Sequence, residues 1–281
     1  MDTLKRGKYY YLGSSFRTKN RVIYREKYLG KKIPVNIKVL REEFLRECLS
    51  VEIFKRLDAI KEKYSKEWQK LPQSIKKERL IDLSINMTYN TNAIEGSKIT
   101  LEETEEIVRR KISPNRPIDD VLESINHSKL FFRIIDAKEE ISIKSILNWH
   151  KELFFETKSD IAGSFREYSV KICDYRAPDW QDVKKLMDEY IKWYMDNKDK
   201  IHPVELAARM HYRFEKIHPF GDGNGRIGRL IIIYVLARAK YPLLIIKYKK
   251  RKSYYHALEQ SEEKFLQYII RRYVKIGARL I

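Results

Sequence analysis

The chain is predicted to be mostly α-helical, with a short β element at its N-terminus and one small β-hairpin inside the helical region. Glycine (10) and proline (8) are scarce among 281 residues, too few for a sandwich of many short strands joined by tight turns. After residue 39, apolar residues recur at helical spacing. Alternation of period two is confined to residues 8–34 and 169–180.

Residues 8–34 alternate aromatic and polar side chains around the turn formers Gly13-Ser14-Ser15 and Thr18-Lys19-Asn20, which predicts a hairpin or small sheet. From Val39 to about Glu67 the pattern is helical and charged, with Leu40, Phe44, Leu45, Val51, Phe54 and Leu57 at helical spacing. A helix follows from about Ser74 to Ile94, with Leu80, Leu83 and Met87 on one face and Gly96 placed to end it. Thr100 and Glu103 form a capping box that opens the next helix, and 119–137 predicts another. Further helices are expected at 142–156, 180–197, 203–216, 226–240 and 253–275, with a hairpin around Val170, Ile172 and Asp174. The longest apolar run, Leu230 to Ala237, reads as a buried core helix. The expected division is an N-terminal region over 1–75 and a core over 76–281.

The formal charge of +19 is unevenly spread. Residues 1–41 hold twelve Lys/Arg against two acids and residues 238–281 twelve against three, so the stretch between them is neutral. Basic ends suit nucleic acid, an acidic protein or an anionic membrane surface. No nucleic-acid motif accompanies them, and the simpler expectation is a solubilising surface of the Lys/Glu/Ile/Tyr-rich kind found in heat-adapted proteins. No stretch approaches the roughly 20 apolar residues of a membrane helix. The N-terminal segment lacks the apolar region of a signal peptide. Cys48 and Cys173 do not make a disulfide framework, and the expected compartment is the reducing cytoplasm. Cys173, in the predicted hairpin, is expected to fill space rather than to sense redox state.

The segment that carries chemistry is His218-Pro-Phe-Gly-Asp-Gly-Asn-Gly-Arg-Ile-Gly-Arg229. The N–H groups of Gly223, Asn224 and Gly225 can converge on an anion where a helix from Arg226 presents its positive end. Arg226 and Arg229, one turn apart, can both reach the same phosphates. Asp222 is a hard oxygen ligand suited to Mg²⁺. His218 is the natural general base, its intrinsic pKa lying near neutrality.

Rival readings of the same residues fit less well. Gly223, Gly225 and Gly228 match G-x-G-x-x-G, but a dinucleotide site needs a preceding strand and a later acid, whereas a helix is expected before this loop and 245–252 is basic. Asp222-Gly-Asn-Gly echoes a calcium loop that lacks its other ligands. His202, His211 and His218 have no zinc-site spacing, and His202 before Pro203 reads as a helix start.

The segment matches every defined position of H-x-F-x-D/E-G-N-G-R-x-x-R and so resembles the Fic-domain family. The likeness runs from about Ser84 to Ala278 and includes a flap hairpin from Gly163 to Ile172 and a helix containing Tyr254-Tyr255-His256-Ala257-Leu258-Glu259. The resemblance implies a Fic-type helical core and transfer of AMP from ATP to a Ser, Thr or Tyr hydroxyl of a protein, with the chain itself among the candidate targets, and release of pyrophosphate. By that likeness His218 is the base and Asp222 holds Mg²⁺ against the α- and β-phosphates. Gly223, Asn224 and Gly225 line the anion hole, Arg226 meets the β-phosphate and Arg229 the γ-phosphate. Phe220 belongs to the core, and the flap holds the target by strand addition. Doc-like kinases carry lysine where Gly225 stands, which favours AMP transfer here.

Thr91-Asn-Ala-Ile-Glu95-Gly96 matches the family's inhibitory motif, S/T-x-x-x-E-G/N. By resemblance Glu95 pairs with Arg229 in place of the γ-phosphate. The same glutamate serves AMP removal in some relatives, so an eraser, a transferase using another nucleotide donor, and a non-enzymatic basic binding module remain open alternatives. Target, oligomeric state and the role of the basic ends are not specified, although a dimer is compatible with the sequence.

Overall fold

The computed structural model describes residues 2–17, 22–49, 53–172 and 175–277. The chain divides into two compact units, Met1–Ile60 and Lys61–Ile281, with the division falling inside a helix.

In the first unit, β1 (Asp2–Arg6), β2 (Tyr9–Arg17) and β3 (Val22–Gly30) form an antiparallel sheet in chain order. Gly13-Ser14-Ser15 lies inside β2 and makes no turn, which corrects the sequence expectation. At Gly13 a side chain would run into Leu4 and Tyr24, so glycine lets two neighbouring strands lay side chains across β2. The predicted turn at Thr18-Lys19-Asn20 lies outside the described residues, as do Val51, Cys173 and Asp174. Leu12 on the inner face is fully buried, as are Phe44 and Leu45 of α1 (Ile37–Leu49). The helical pattern expected from Val39 to about Glu67 is carried by α1 and by α2 (Lys55–Lys70).

The second unit is helical apart from one hairpin. It holds α3 (Gln73–Ile94), α4 (Leu101–Glu105) running on into a π-helical turn at Glu106–Arg110, α5 (Ile118–Ile135) and α6 (Ile143–Phe154). The hairpin β4 (Lys171–Ile172) and β5 (Tyr175–Arg176) precedes α7 (Val183–Asn197), α8 (Pro203–Ile217), α9 (Asn224–Arg238), α10 (Arg251–Glu259) and α11 (Glu262–Gly277). The capping box at Thr100 and Glu103 forms, with bonds of 3.1 and 2.8 Å. The helix expected over 253–275 breaks at Gln260–Ser261, where the Ser261 carbonyl accepts from Phe265 N.

Helix α9 is the axis of this unit. Its residues from Leu230 to Leu236 are all buried, and α3, α5, α6 and α8 pack around it. A helix that is apolar on every side can be stable only as the centre of a bundle. Truncating Ile231 or Ile233, both fully buried, to Ala costs about 2–5 kcal/mol. The first turn of α9 is thereby fixed at the end of a rigid rod, and the chemistry-bearing loop is attached there. No helix among the described residues is long and apolar enough to cross a membrane.

Candidate active site

Helix α8 stops because His218 adopts a left-handed conformation (φ 51°, ψ 61°), with its N–H returning to the Phe214 carbonyl. That conformation costs a non-glycine residue on the order of 1 kcal/mol. Arg166, 3 % exposed, helps to hold it: its Nε donates to the His218 carbonyl (2.9 Å), and its two terminal nitrogens donate to the Tyr168 and Pro178 carbonyls. The loop is closed from the other side by Asn224. Its Oδ1 accepts from Phe220 N (2.9 Å) and its Nδ2 donates to the Phe220 carbonyl (2.8 Å). The Asn224 side chain is therefore a clamp, and only its backbone N–H is left to meet a ligand.

Beneath the loop, the Phe220 ring stacks on His150 of α6 at 3.8 Å and 12°. His150 Nδ1 accepts from Gly163 N (2.9 Å), so Nε2 carries the proton and donates to the Asp222 carbonyl (3.0 Å). Burial pushes the His150 pKa down to about 4, which keeps the ring neutral and this two-way bridge intact.

His218 is 17 % exposed, and burial pushes its pKa down to about 4. Its Nδ1 is buried 3.9 Å from Glu215 Oε2, too far for a hydrogen bond, so Nε2 is the nitrogen able to reach a substrate. Burial raises Glu215 to about 7. The other two histidines of the rejected zinc reading are engaged elsewhere, His202 with Val204 N and Tyr241, His211 with the Tyr254 hydroxyl. No group of His, Cys, Asp and Glu able to hold a metal by itself occurs among the described residues.

Arg226 and Arg229 both lie in the first turns of α9, where the leading N–H groups have no acceptor within the helix. Gly223 N is already turned onto Asp222 Oδ1 at 2.5 Å. Arg226 is ion-paired with Glu123 of α5, and its Nη2 lies 3.4 Å from Asp222 Oδ2. Lys158 completes this group at 2.6 Å from Asp222 Oδ2 and 3.2 Å from Glu123 Oε1. Burial alone would raise the Asp222 carboxyl, but Arg226 and Lys158 hold it below its ordinary pKa.

Arg229 is 2 % exposed. Its Nε donates to Thr91 Oγ1 (2.7 Å), and its Nη2 donates to the Thr91 carbonyl (3.2 Å) and Glu95 Oε1 (2.6 Å). Burial disfavours its charge, yet the neighbouring Glu95 carboxylate more than offsets this and leaves its pKa above the ordinary value. Glu95 reaches Arg229 because α3 ends there. Ser97 N bonds to the Asn92 carbonyl and Gly96 N to the Ala93 carbonyl, a Schellman turn that needs the positive φ (101°) of Gly96. It also needs Gly225, since a side chain there would meet Glu95 Oε1 at 2.3 Å. His218, Asp222, Gly223, Asn224, Gly225, Arg226, Arg229, Thr91 and Glu95 thus meet around one helix end. Glu123, Lys158, His150 and Arg166, which hold them there, carry no sequence signal for these roles; Glu123 and His150 lie in predicted helices and Arg166 in the predicted flap.

Residues 140–236 match the Fic/DOC family. The chain is 32% identical over 237 residues to the protein adenylyltransferase Fic of Nematostella vectensis, covering 80% of this chain and 54% of that protein. Against the protein adenylyltransferase Fic of Drosophila ananassae it is 34% identical over 180 residues, covering 62% and 36%. The chain thus spans about half the length of the first relative and about a third of the second. The structure of Fic-1 residues 134–508 from C. elegans superposes with a TM-score of 0.72 at 25% identity, covering 88% of this chain and 77% of that one. The helical unit adopts the Fic fold, and the β4–β5 hairpin is tied to the end of α8 by the Tyr175 hydroxyl, which donates to the Lys216 carbonyl (2.7 Å); of the Gly163–Ile172 stretch expected to form the flap, only Lys171–Ile172 is strand.

Proposed function

We propose that this chain is a self-restrained protein adenylyltransferase that moves AMP from ATP to a hydroxyl side chain of a protein, itself included. The observation that carries the reading is the convergence of an uncharged His218 and two buried arginines on the N-terminal end of α9. His218 Nε2 takes the proton of the attacking Ser, Thr or Tyr hydroxyl. The hydroxyl oxygen bonds to the α-phosphorus, the bond from that phosphorus to the bridging oxygen breaks, and the electron pair leaves with pyrophosphate. The N–H groups of Asn224 and Gly225 face the charge that builds on the α-phosphate, while Arg226 and Arg229 neutralise the β- and γ-phosphates.

A divalent metal fits this site as a partner of the phosphates rather than of a protein cage. Asp222 offers one hard carboxylate, 43 % exposed, and Mg²⁺ commonly takes one or two carboxylates and completes its shell with phosphate oxygens and water. Asp222 would hold such an ion, which would supply positive charge beside the phosphates.

Glu95 is the restraint. It answers the Arg229 charge from the side on which the γ-phosphate would enter, so productive ATP has to displace it. The test is labelling with α-labelled ATP and Mg²⁺. Wild type is expected to label weakly, Glu95→Gly strongly and on itself, and Glu95→Gly with His218→Ala not at all. Equal labelling of wild type and Glu95→Gly would refute the restraint. No label in any variant, with the fold intact and ATP shown to bind, would refute transfer to the chain itself and turn the test to other donors, a required partner or AMP removal.

A further inference from the structure

The N-terminal sheet carries a second feature that the Fic chemistry does not use. The register sets Tyr11 opposite Tyr28 and Arg6 opposite Tyr9, and the bulge between Tyr10 and Tyr11 brings Gly30 opposite Tyr10. Tyr28 touches both Tyr9 and Tyr11, with ring centroids 5.8 and 5.4 Å away, so the three rings form a row on one face. Leu12 and Ser14, which alternate with them along β2, are buried on the other. Tyr9, Tyr24 and Tyr28 are 40, 50 and 57 % exposed. A monomeric surface rarely leaves such a run of large rings in water without a use for it.

Cations gather beside the same row. Arg6 lies over the Tyr11 ring at 5.7 Å. Lys8 sits in the β1–β2 turn, and Lys31 and Lys32 follow β3 at the same end of the sheet, because Gly30 is opposite Tyr10. All three lysines are exposed. Glu26 is held within the face by Arg6 (2.5 Å) and the Tyr24 hydroxyl (2.7 Å), so its charge is answered locally. Four of the twelve cations in residues 1–41, Arg6, Lys8, Lys31 and Lys32, thus lie at one end of this sheet.

We propose that this face binds single-stranded nucleic acid, with bases stacked on Tyr9 and Tyr28 and the backbone running along Lys8, Lys31 and Lys32. Flat rings edged by flexible cations match a strand that alternates flat bases with phosphates. An acidic peptide would use the lysines and leave the rings without a partner. The assignment is independent of the chemistry of the Fic site.

The test is fluorescence anisotropy of the whole chain with a labelled oligothymidylate about 16 nucleotides long, and separately with a labelled polyglutamate of similar length. Tyr9→Leu with Tyr28→Leu keeps apolar bulk and is expected to weaken oligonucleotide binding about tenfold or more at fixed salt. Tyr9→Phe with Tyr28→Phe keeps the rings and should bind as wild type does. Replacing Lys8, Lys31 and Lys32 by Gln should reduce the slope of log Kd against log salt by about 2. The proposal is overturned if the Leu pair binds as tightly as the Phe pair, if the oligonucleotide does not bind at about 50 mM salt, or if polyglutamate binds as well as the oligonucleotide.

Discussion

Arg226 and Arg229 stand one turn apart on the same helix, and each is neutralised by a glutamate, but the two glutamates are differently mounted. Glu123 lies in the body of α5, 7 % exposed, and also takes Thr157 and Lys158. Glu95 is the last residue before the Schellman turn of α3, its side chain 29 % exposed, with Arg229 as its ion-pair partner. Glu123 is enclosed in a packed helix, whereas Glu95, at the end of α3, can leave by rotating its partly exposed side chain. Arg229 also keeps its bonds to Thr91 when Glu95 leaves. Under the proposed function, the difference assigns Glu123 to the architecture of the site and Glu95 to its control.

The sharpest way to break that distinction is by stability. Glu123→Ala removes the buried partner of the buried Arg226 and should lower the unfolding free energy by about 3–5 kcal/mol, whereas Glu95→Gly should cost only about 1 kcal/mol. Urea titration of both variants checks this, and equal costs would erase the contrast.

Acid probes what lies beneath the two arginines. His127 is fully buried and held near a pKa of about 3 by burial, with Arg226 and Arg229 adding to the effect. His150 and His218 fall to about 4 and His211 to about 3. These folded-state values are depressed below the ordinary histidine value, so as pH falls from about 6.5 toward 4 the unfolded chain takes up protons that the fold refuses. Each such histidine removes about 1.4 kcal/mol per pH unit across that window. Glu215 has the opposite sign. Its folded value of about 7 lies above the ordinary one, so between about 4.5 and 7 it adds stability as pH falls and offsets one histidine. Melting temperature should therefore decline on acidification below pH 6, with a net uptake approaching three protons near pH 5. A flat profile would show that the histidines are not buried neutral.

The smallest expected effect concerns Lys158. Its ammonium occupies the same Asp222 oxygen that Arg226 approaches. Lys158→Met should tighten binding of Mn²⁺ to the nucleotide-free protein by about tenfold, near 1.4 kcal/mol, while Asp222→Asn should abolish it. Calorimetry reads both, and unchanged affinity in Lys158→Met would mean that the lysine does not contest the carboxylate.

The helical core and the loop were legible because their signals are local. A histidine, closely spaced glycines and two arginines at i and i+3 specify a loop that opens a helix, whatever packs around it. Thr91 and Glu95, one turn apart before Gly96, were legible for the same reason. Glu123 was not, because nothing near it in sequence says that it will face Arg226 across 103 residues. Lys158, 64 residues from Asp222, and His150, 72 residues away, are equally silent until α5 and α6 are packed on α9. Two local readings failed for physical reasons. Gly13-Ser14-Ser15 carries turn formers, but a strand needed small residues there to let Tyr24 and Leu4 cross it. The break before α11 did have a signal, a serine followed by Glu262 and Glu263, which are the acids of the first turn.

The missing side chain at Gly225 has a wider consequence. The volume it leaves is claimed by the Glu95 carboxylate, with Arg229 as its floor. A ligand phosphate and the restraint would then compete for one small space instead of communicating through a chain of moving parts. Control of this kind works by occupancy, like two keys cut for a single lock. Its sensitivity is set by how well each claimant fits, so a change as small as one methyl group at position 225 should unseat the restraint and the nucleotide together.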